Sequence, residues 1–415
     1  MDSLPHHHPT TARTAIVLSG GGARAAYQVG VLQALSRLRR DAGAGHQPTP
    51  FPIAVGTSAG AINAAALACG ADHFGTAVQR LSKVWRNFST QQVYRADPFG
   101  VMRSGARWLT LVSIGWALAR WRRMRPQSLL DNKPLEKLLV KMVPLVRLPR
   151  LIRKGHLKAL AVTASSYSSG EHVTFFESAE PVKPWVRSQR KAARDRITHE
   201  HLLASSAIPF VFPAKGITID GHTEYFGDGS MRQSAPIAAA IHLGAERVLV
   251  IGAGRMHEPR GDSTAPPSPS YPSLAQIAGH ALSNIFLDAL SVDVERVQRI
   301  NQTLSLIPEE KRTHSALRPV ELLVIAPSQR LDAIAARHVG DLPGPVRTML
   351  GALGVTSNMA DVRGAALASY LLFEQGYTQE LMALGRADTL ARRADVCRFF
   401  GWKDTGAALR TRLPT

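Results

Sequence analysis

Two short apolar runs, each broken by glycine and each followed by a helical pattern, occupy the first seventy residues. Ala15-Ile16-Val17-Leu18 runs straight into Gly20-Gly21-Gly22, and Tyr27, Val29, Val31, Leu32, Leu35 and Leu38 then recur at helical spacing. Phe51-Pro52-Ile53-Ala54-Val55 is broken in the same way at Gly56, with an alanine-rich helical run from Ala59 to Ala68 behind it. A strand with no polar side to show to water must be covered on both faces. Repeated strand–turn–helix units therefore predict an α/β fold around a largely parallel, buried sheet. Further strands are expected at Leu157–Thr163, Val173–Phe176, Gly216–Ile219, Arg247–Ile251 and Val320–Ala326. Residues 1–12 read as a disordered tail. The Pro- and Ser-rich stretch 257–273 reads as a flexible surface loop inside one domain, because the strand at Val320 needs a sheet to join. That domain is expected to span 13–330. Residues 331–415, with helical runs such as Leu367–Phe373 and Gln379–Leu384, form a helical extension packed on it.

Charge decides what the surface meets. The 415 residues carry 50 Lys+Arg against 31 Asp+Glu, a net +19, and residues 103–196 alone hold 20 basic and 6 acidic side chains. Such an excess selects an anionic membrane, a nucleic acid or an acidic substrate. No nucleic-acid recognition motif accompanies it and aromatic residues are only 6%, so nucleic acid is not expected as a partner. The apolar run Trp108–Ala119 is twelve residues long, where a bilayer-spanning helix needs roughly 20. It is followed at once by Arg120-Trp121-Arg122-Arg123-Met124-Arg125, and apolar insertion beside cations suits an anionic bilayer surface. The basic stretch, about 101–196, is thus read as a membrane-docking insertion, against the simpler alternative of a solvated helical face. The polar amino terminus has no signal-type apolar core, and the two cysteines, Cys69 and Cys397, are too few for a disulfide framework. A cytoplasmic protein, peripherally bound to membrane, is expected.

Three motifs can carry chemistry. Gly20-Gly21-Gly22-Ala23-Arg24-Ala25 fits a loose dinucleotide pattern after a strand. That use needs an acid at the end of the second strand, and Gly56-Thr57-Ser58 supplies none, while Asp41 sits in a Gly/Ala/Pro loop. Gly56-Thr57-Ser58-Ala59-Gly60 is a G-x-S-x-G elbow between a strand and a helix, which would present Ser58 above the sheet. A serine nucleophile needs a base and an oxyanion site, and the Gly20–Gly22 N–H groups could be the latter. For the base, His242, His257, His280, His314 and His338 lie in no recognisable strand-end setting. Asp228, flanked by Gly227 and Gly229 after the aromatic run Glu224-Tyr225-Phe226, has free approach to another loop.

Taken in order, these motifs resemble the patatin-like phospholipase family, over roughly residues 12 to 255. Gly20–Arg24 is similar to its glycine-rich anion loop, Gly56–Gly60 to its nucleophile elbow, and Asp228-Gly229 to its dyad motif. Ala204-Ser205-Ser206-Ala207-Ile208-Pro209 is similar to its small-residue segment before that aspartate. The resemblance implies a three-layer α/β/α fold and a Ser58–Asp228 dyad needing no metal or cofactor. It also implies an oxyanion site at Gly20, Gly21 and Gly22, where Arg24 adds charge or fixes the loop. The implied activity is hydrolysis of phospholipid or lysophospholipid acyl esters through an acyl-serine. The alternatives are an esterase or thioesterase on neutral or soluble acyl compounds, and a catalytically weakened lipid-binding protein. The last arises because the family usually has glycine where Ala25 stands.

Overall fold

A computed structural model describes residues 13–95, 128–256, 274–283, 289–312, 315, 317–352, 354–355 and 362–404. The tail 1–12, the loop 257–273 and the run Trp108–Arg125 therefore lie outside the described residues. Five parallel strands form the heart of the sheet: β1 (Thr14–Leu18), β2 (Ile53–Thr57), β3 (Ala159–Ser166), β9 (Arg247–Ile251) and β10 (Glu321–Ile325), in the order β10-β9-β1-β2-β3. Beyond β3 the direction mixes. β4 (His172–Ser178) pairs with β3 antiparallel, then β6 (Arg190–Arg194) pairs with β4 parallel, and the two-residue β5 (Val186–Arg187) closes the edge. The hairpin β7 (Lys215–Ile219) and β8 (His222–Asp228) joins β3 separately.

All five residues of β1 and of β2 are buried, as uninterrupted apolar strands require. Alternate residues serve opposite layers. Ile16, Leu18 and Ala54 pack with helices α1 (Ala26–Asp41), α2 (Ala59–Ala68) and α3 (Phe74–Arg86). Ala15, Val17, Ile53 and Val55 face the opposite layer, which includes Ile237, Ala240, Leu290 and Val294. The architecture is thus mixed α/β with a mostly parallel central sheet between two helical layers. The helix Gln375–Ala391 lies along α1, with the Tyr27 hydroxyl donating to Asp388 Oδ2 at 2.9 Å.

Three features depart from the sequence reading. The strand pair β5–β6 sits in a basic stretch with no apolar alternation, so periodicity could not reveal it. β3 begins at Ala159 and continues to Ser166, past the expected end at Thr163, because the β8 end pairs with its last three residues. Trp185, counted with the basic docking stretch, instead stacks between Phe176 (5.4 Å) and His242 (4.6 Å).

Candidate active site

The site is built by one exchange of strands along β3. β2 runs beside β3 as far as Thr57, opposite Thr163, and there turns away into α2. From the next residue, Ala164, β3 pairs with β8 instead, and Asp228 is the residue opposite Ala164. Ser58 and Asp228 are therefore one strand position apart although 170 residues separate them. The Ser58 hydroxyl donates to Asp228 Oδ2 at 2.5 Å.

The elbow is held by close backbone contact. Ser58 has φ 56° and ψ −132°, a conformation costing a non-glycine residue about 1–3 kcal/mol. Its N–H is tied down by the Ser205 hydroxyl at 2.8 Å. A side chain at Gly60 would meet the carbonyl oxygens of Leu18 and Ser19 at 2.3 and 2.5 Å, and one at Gly56 would meet Gly60 O at 2.5 Å. Gly56 and Gly60 thus let α2 start directly against the end of β1. That brings the Gly20–Gly22 loop, which leaves β1, beside Ser58, and Gly22 and Ser58 line one cavity.

The Gly20–Gly22 loop closes into a short 3₁₀ turn, Gly22–Ala25, whose leading N–H groups have no acceptor inside the turn. Gly22 has φ 54°, and a Cβ there would lie 2.3 Å from the Tyr370 carbonyl oxygen. Gly22→Ala should therefore lower the unfolding free energy by about 1–3 kcal/mol, read as a fall in Tm. An unchanged Tm would contradict that packing. Arg24 is buried, donates from Nε to Ser369 Oγ at 2.7 Å, and stacks its guanidinium 4.1 Å from the Tyr370 ring centre. Of the two roles expected for Arg24, this geometry favours fixing the loop. Ala25 has φ −65° and ψ −9°, ordinary helical values that ask nothing of glycine. Ala25→Gly is accordingly expected to leave ester turnover within about twofold of wild type, since only helix propensity changes. A large gain would mean that the methyl group had damaged the loop.

Asp228 is fully buried. Burial pushes its carboxyl up to about 6, while hydrogen bonds from Ser58 and Ser230 pull the other way. The Ser230 N–H donates to Oδ1 at 2.9 Å. A Cβ on Gly229 would stand 2.2 Å from Thr163 O, so glycine there lets the Asp228 turn lie flat on β3.

The histidines weighed as bases go elsewhere. His242 stacks on Trp185, and His338 bonds Asp341 and Glu380. His280 is exposed on the helix Leu274–Ser283, and His257 and His314 lie outside the described residues. Buried His172, beside Gly229, is a neighbour that the sequence did not single out. Desolvation pushes its imidazole down to about 4, with the Arg190 charge adding to this and the Gly229 backbone opposing it. Ser205 lies in the small-residue segment already noted, whereas Ser369 and Tyr370, far along the chain, gave no sequence signal.

Behind Ser58 the cavity is narrow, about 30 Å³, and walled by Ile62, Trp85, Phe88, Leu138, Met142 and Phe373. Its walls are almost wholly apolar. Among the described residues, no cluster of three or more His, Cys, Asp or Glu is arranged to hold a metal.

Fold and elbow together define an α/β protein that presents a strained serine against a buried aspartate. The chain belongs to the patatin-like phospholipase family, whose model matches residues 16–241. That membership supports lipid hydrolysis as the class of activity. No curated protein matches the chain. Among solved structures it is similar to human GIVD cytosolic phospholipase A2, at 13% identity and TM-score 0.42 over 97% of this chain and 60% of that one. It is similar too to VipD from Legionella pneumophila, at 14% identity and TM-score 0.30 over 90% of this chain and 67% of that one. ExoU from Pseudomonas aeruginosa matches at 16% identity and TM-score 0.27 over 97% of this chain and 84% of that one. The chain spans about 60% of the length of the human phospholipase chain.

Proposed function

We propose that the protein hydrolyses phospholipid or lysophospholipid acyl esters through an acyl-serine at Ser58, with Asp228 as its base. The observation that carries this reading is the 2.5 Å bond from Ser58 Oγ to Asp228 Oδ2 at a strained elbow. As Ser58 Oγ bonds to the ester carbonyl carbon, its proton passes to Asp228. The oxyanion so formed is held by N–H groups of Gly20, Gly21 and Gly22, with Arg24 positioning the loop. Collapse breaks the C–O bond, and Asp228 returns the proton to the departing alcohol or lysolipid. Water then gives a proton to Asp228 and attacks the acyl-serine; the acyl C–Oγ bond breaks, Asp228 passes that proton to Ser58 Oγ, and the fatty acid leaves. No metal or cofactor enters these steps.

A free aspartate is a weak base at neutral pH, and burial corrects this. With the Asp228 carboxyl at about 6, the base form requires pH above that value. The expected kcat/KM falls about tenfold per pH unit below pH 6 and is flat from pH 7 to 8. A profile that stays flat down to pH 5 would exclude Asp228 as the base.

The basic surface supports action at an anionic membrane in the cytoplasm. Phe210 supports it too: it is 73% exposed at φ 65° and lies between Ile208 and Phe212, which line the cavity. The narrow cavity favours a second reading, an esterase acting on short or soluble acyl compounds. Measuring fatty acid release from mixed phospholipid vesicles against hydrolysis of a short-chain nitrophenyl ester separates the two.

A further inference from the structure

A larger groove lies on the far side of the wall that closes the Ser58 cavity. It measures about 670 Å³, within the range of roughly 300–1,000 Å³ usual for small-molecule sites, and runs between the end of α2, α3 and the helix Lys133–Met142. Its floor is apolar, with Ala66, Cys69, Ala77, Leu81 and Val84. Burial pushes the Cys69 thiol up to about 12, so it stays protonated and serves as floor. The rim is basic. Arg80, Lys83 and Lys141 are exposed and form no ion pair with another described residue, while Arg147 is committed to Asp72 at 2.6 Å. Leu138 and Met142 line both the groove and the Ser58 cavity.

Three exposed cations with no ion-pair partner among the described residues, set over an apolar trough, fit an amphiphile with one anionic end. The shared wall says which one, because Leu138 and Met142 also line the cavity at Ser58, where the proposed reaction would release a fatty acid. We propose that this groove is a binding site for a long-chain fatty acid. Its carboxylate would be held by Arg80, Lys83 and Lys141 and its chain laid on the floor, with Leu138 and Met142 as the movable partition from the catalytic cavity. The inference rests on the hydrolase reading, since it makes the groove the site of the product. Its binding step, however, needs no turnover.

The test uses the full chain carrying Ser58→Ala, which separates binding from hydrolysis. A fluorescent polyene fatty acid is titrated in and displaced with oleate or with oleyl alcohol. Oleate should displace it at a concentration at least about tenfold lower than the alcohol needs. The double variant Arg80→Glu/Lys83→Glu should weaken oleate about tenfold or more, as expected for losing and reversing two rim charges. Those side chains are exposed, and an unchanged Tm will show that the variant is folded. Equal displacement by acid and alcohol, or unchanged oleate affinity in the double variant, overturns the proposal. Binding to anionic vesicles with none to monomeric oleate also overturns it, in favour of a membrane-docking role for the rim. If oleate binds as stated but wild type hydrolyses no ester, the groove stands and the hydrolase reading falls.

Discussion

Ser58→Ala should reduce hydrolysis of a nitrophenyl ester by about ten-thousand-fold or more, the scale on which removal of a hydrolase nucleophile acts. The fold should survive. Ser58 is 1% exposed in a cradle built by backbone contacts at Gly56 and Gly60, and alanine is smaller than serine. Its N–H still reaches the Ser205 hydroxyl. What is lost is the bond to Asp228, which leaves that buried carboxyl with the Ser230 N–H as its remaining partner of the two. Turnover within tenfold of wild type, in a variant of normal Tm, would remove Ser58 from the mechanism.

Asp228→Asn should act in opposite directions on activity and stability. An amide cannot take the Ser58 proton, so turnover should fall about a thousand-fold or more. Stability should rise, by the following linkage. An aspartate carboxyl ordinarily titrates at 3.8 and this one lies at about 6 in the fold, so folding favours its protonated form. For a group raised in this way, the favourable contribution is fully present below pH 4. It is lost as pH climbs through 6, and above that wild type holds an unwelcome buried charge. The shift corresponds to roughly 3 kcal/mol, a difference that asparagine, which carries no charge, does not incur. The Tm gap between variant and wild type should therefore open between pH 4 and 6 and stay constant above, reaching a few degrees. A variant that is inactive and also less stable at pH 8 would show that Asp228 is held for structure.

How much of this was legible from the sequence depends on how local each cause is. β1 and β2 announce themselves, because five consecutive apolar or small residues before a glycine are a statement about burial on both faces. Ser58, Gly56 and Gly60 were legible for a similar reason: the elbow is five residues long and its residue types mark it locally, although Leu18, Ser19 and Ser205 help to hold it. That Asp228 would sit beside Ser58 came from motif resemblance. The physical cause, β8 taking over the edge of β3 one residue after β2 leaves it, is a matter of register between distant segments. Arg24 shows the limit most clearly. Sequence left its role open between charge and loop support, and the answer lies in Ser369 and Tyr370, some 345 residues away. The groove behind Leu138 and Met142 was likewise invisible, since its cations come from separate segments, Arg80 and Lys83 before the basic stretch and Lys141 within it, and only the fold brings them to one rim.

The measurement that most directly tests the Ser58–Asp228 account is covalent trapping. Wild-type protein is treated with a long-chain alkyl fluorophosphonate, which reacts with activated serines, and the adduct is located by peptide mass. One phosphonyl group per chain, on Ser58, is expected, with labelling slowed at least about a hundred-fold in Asp228→Asn and below pH 5. Labelling at another serine, or labelling of Ser58 at the wild-type rate without Asp228, would contradict the account.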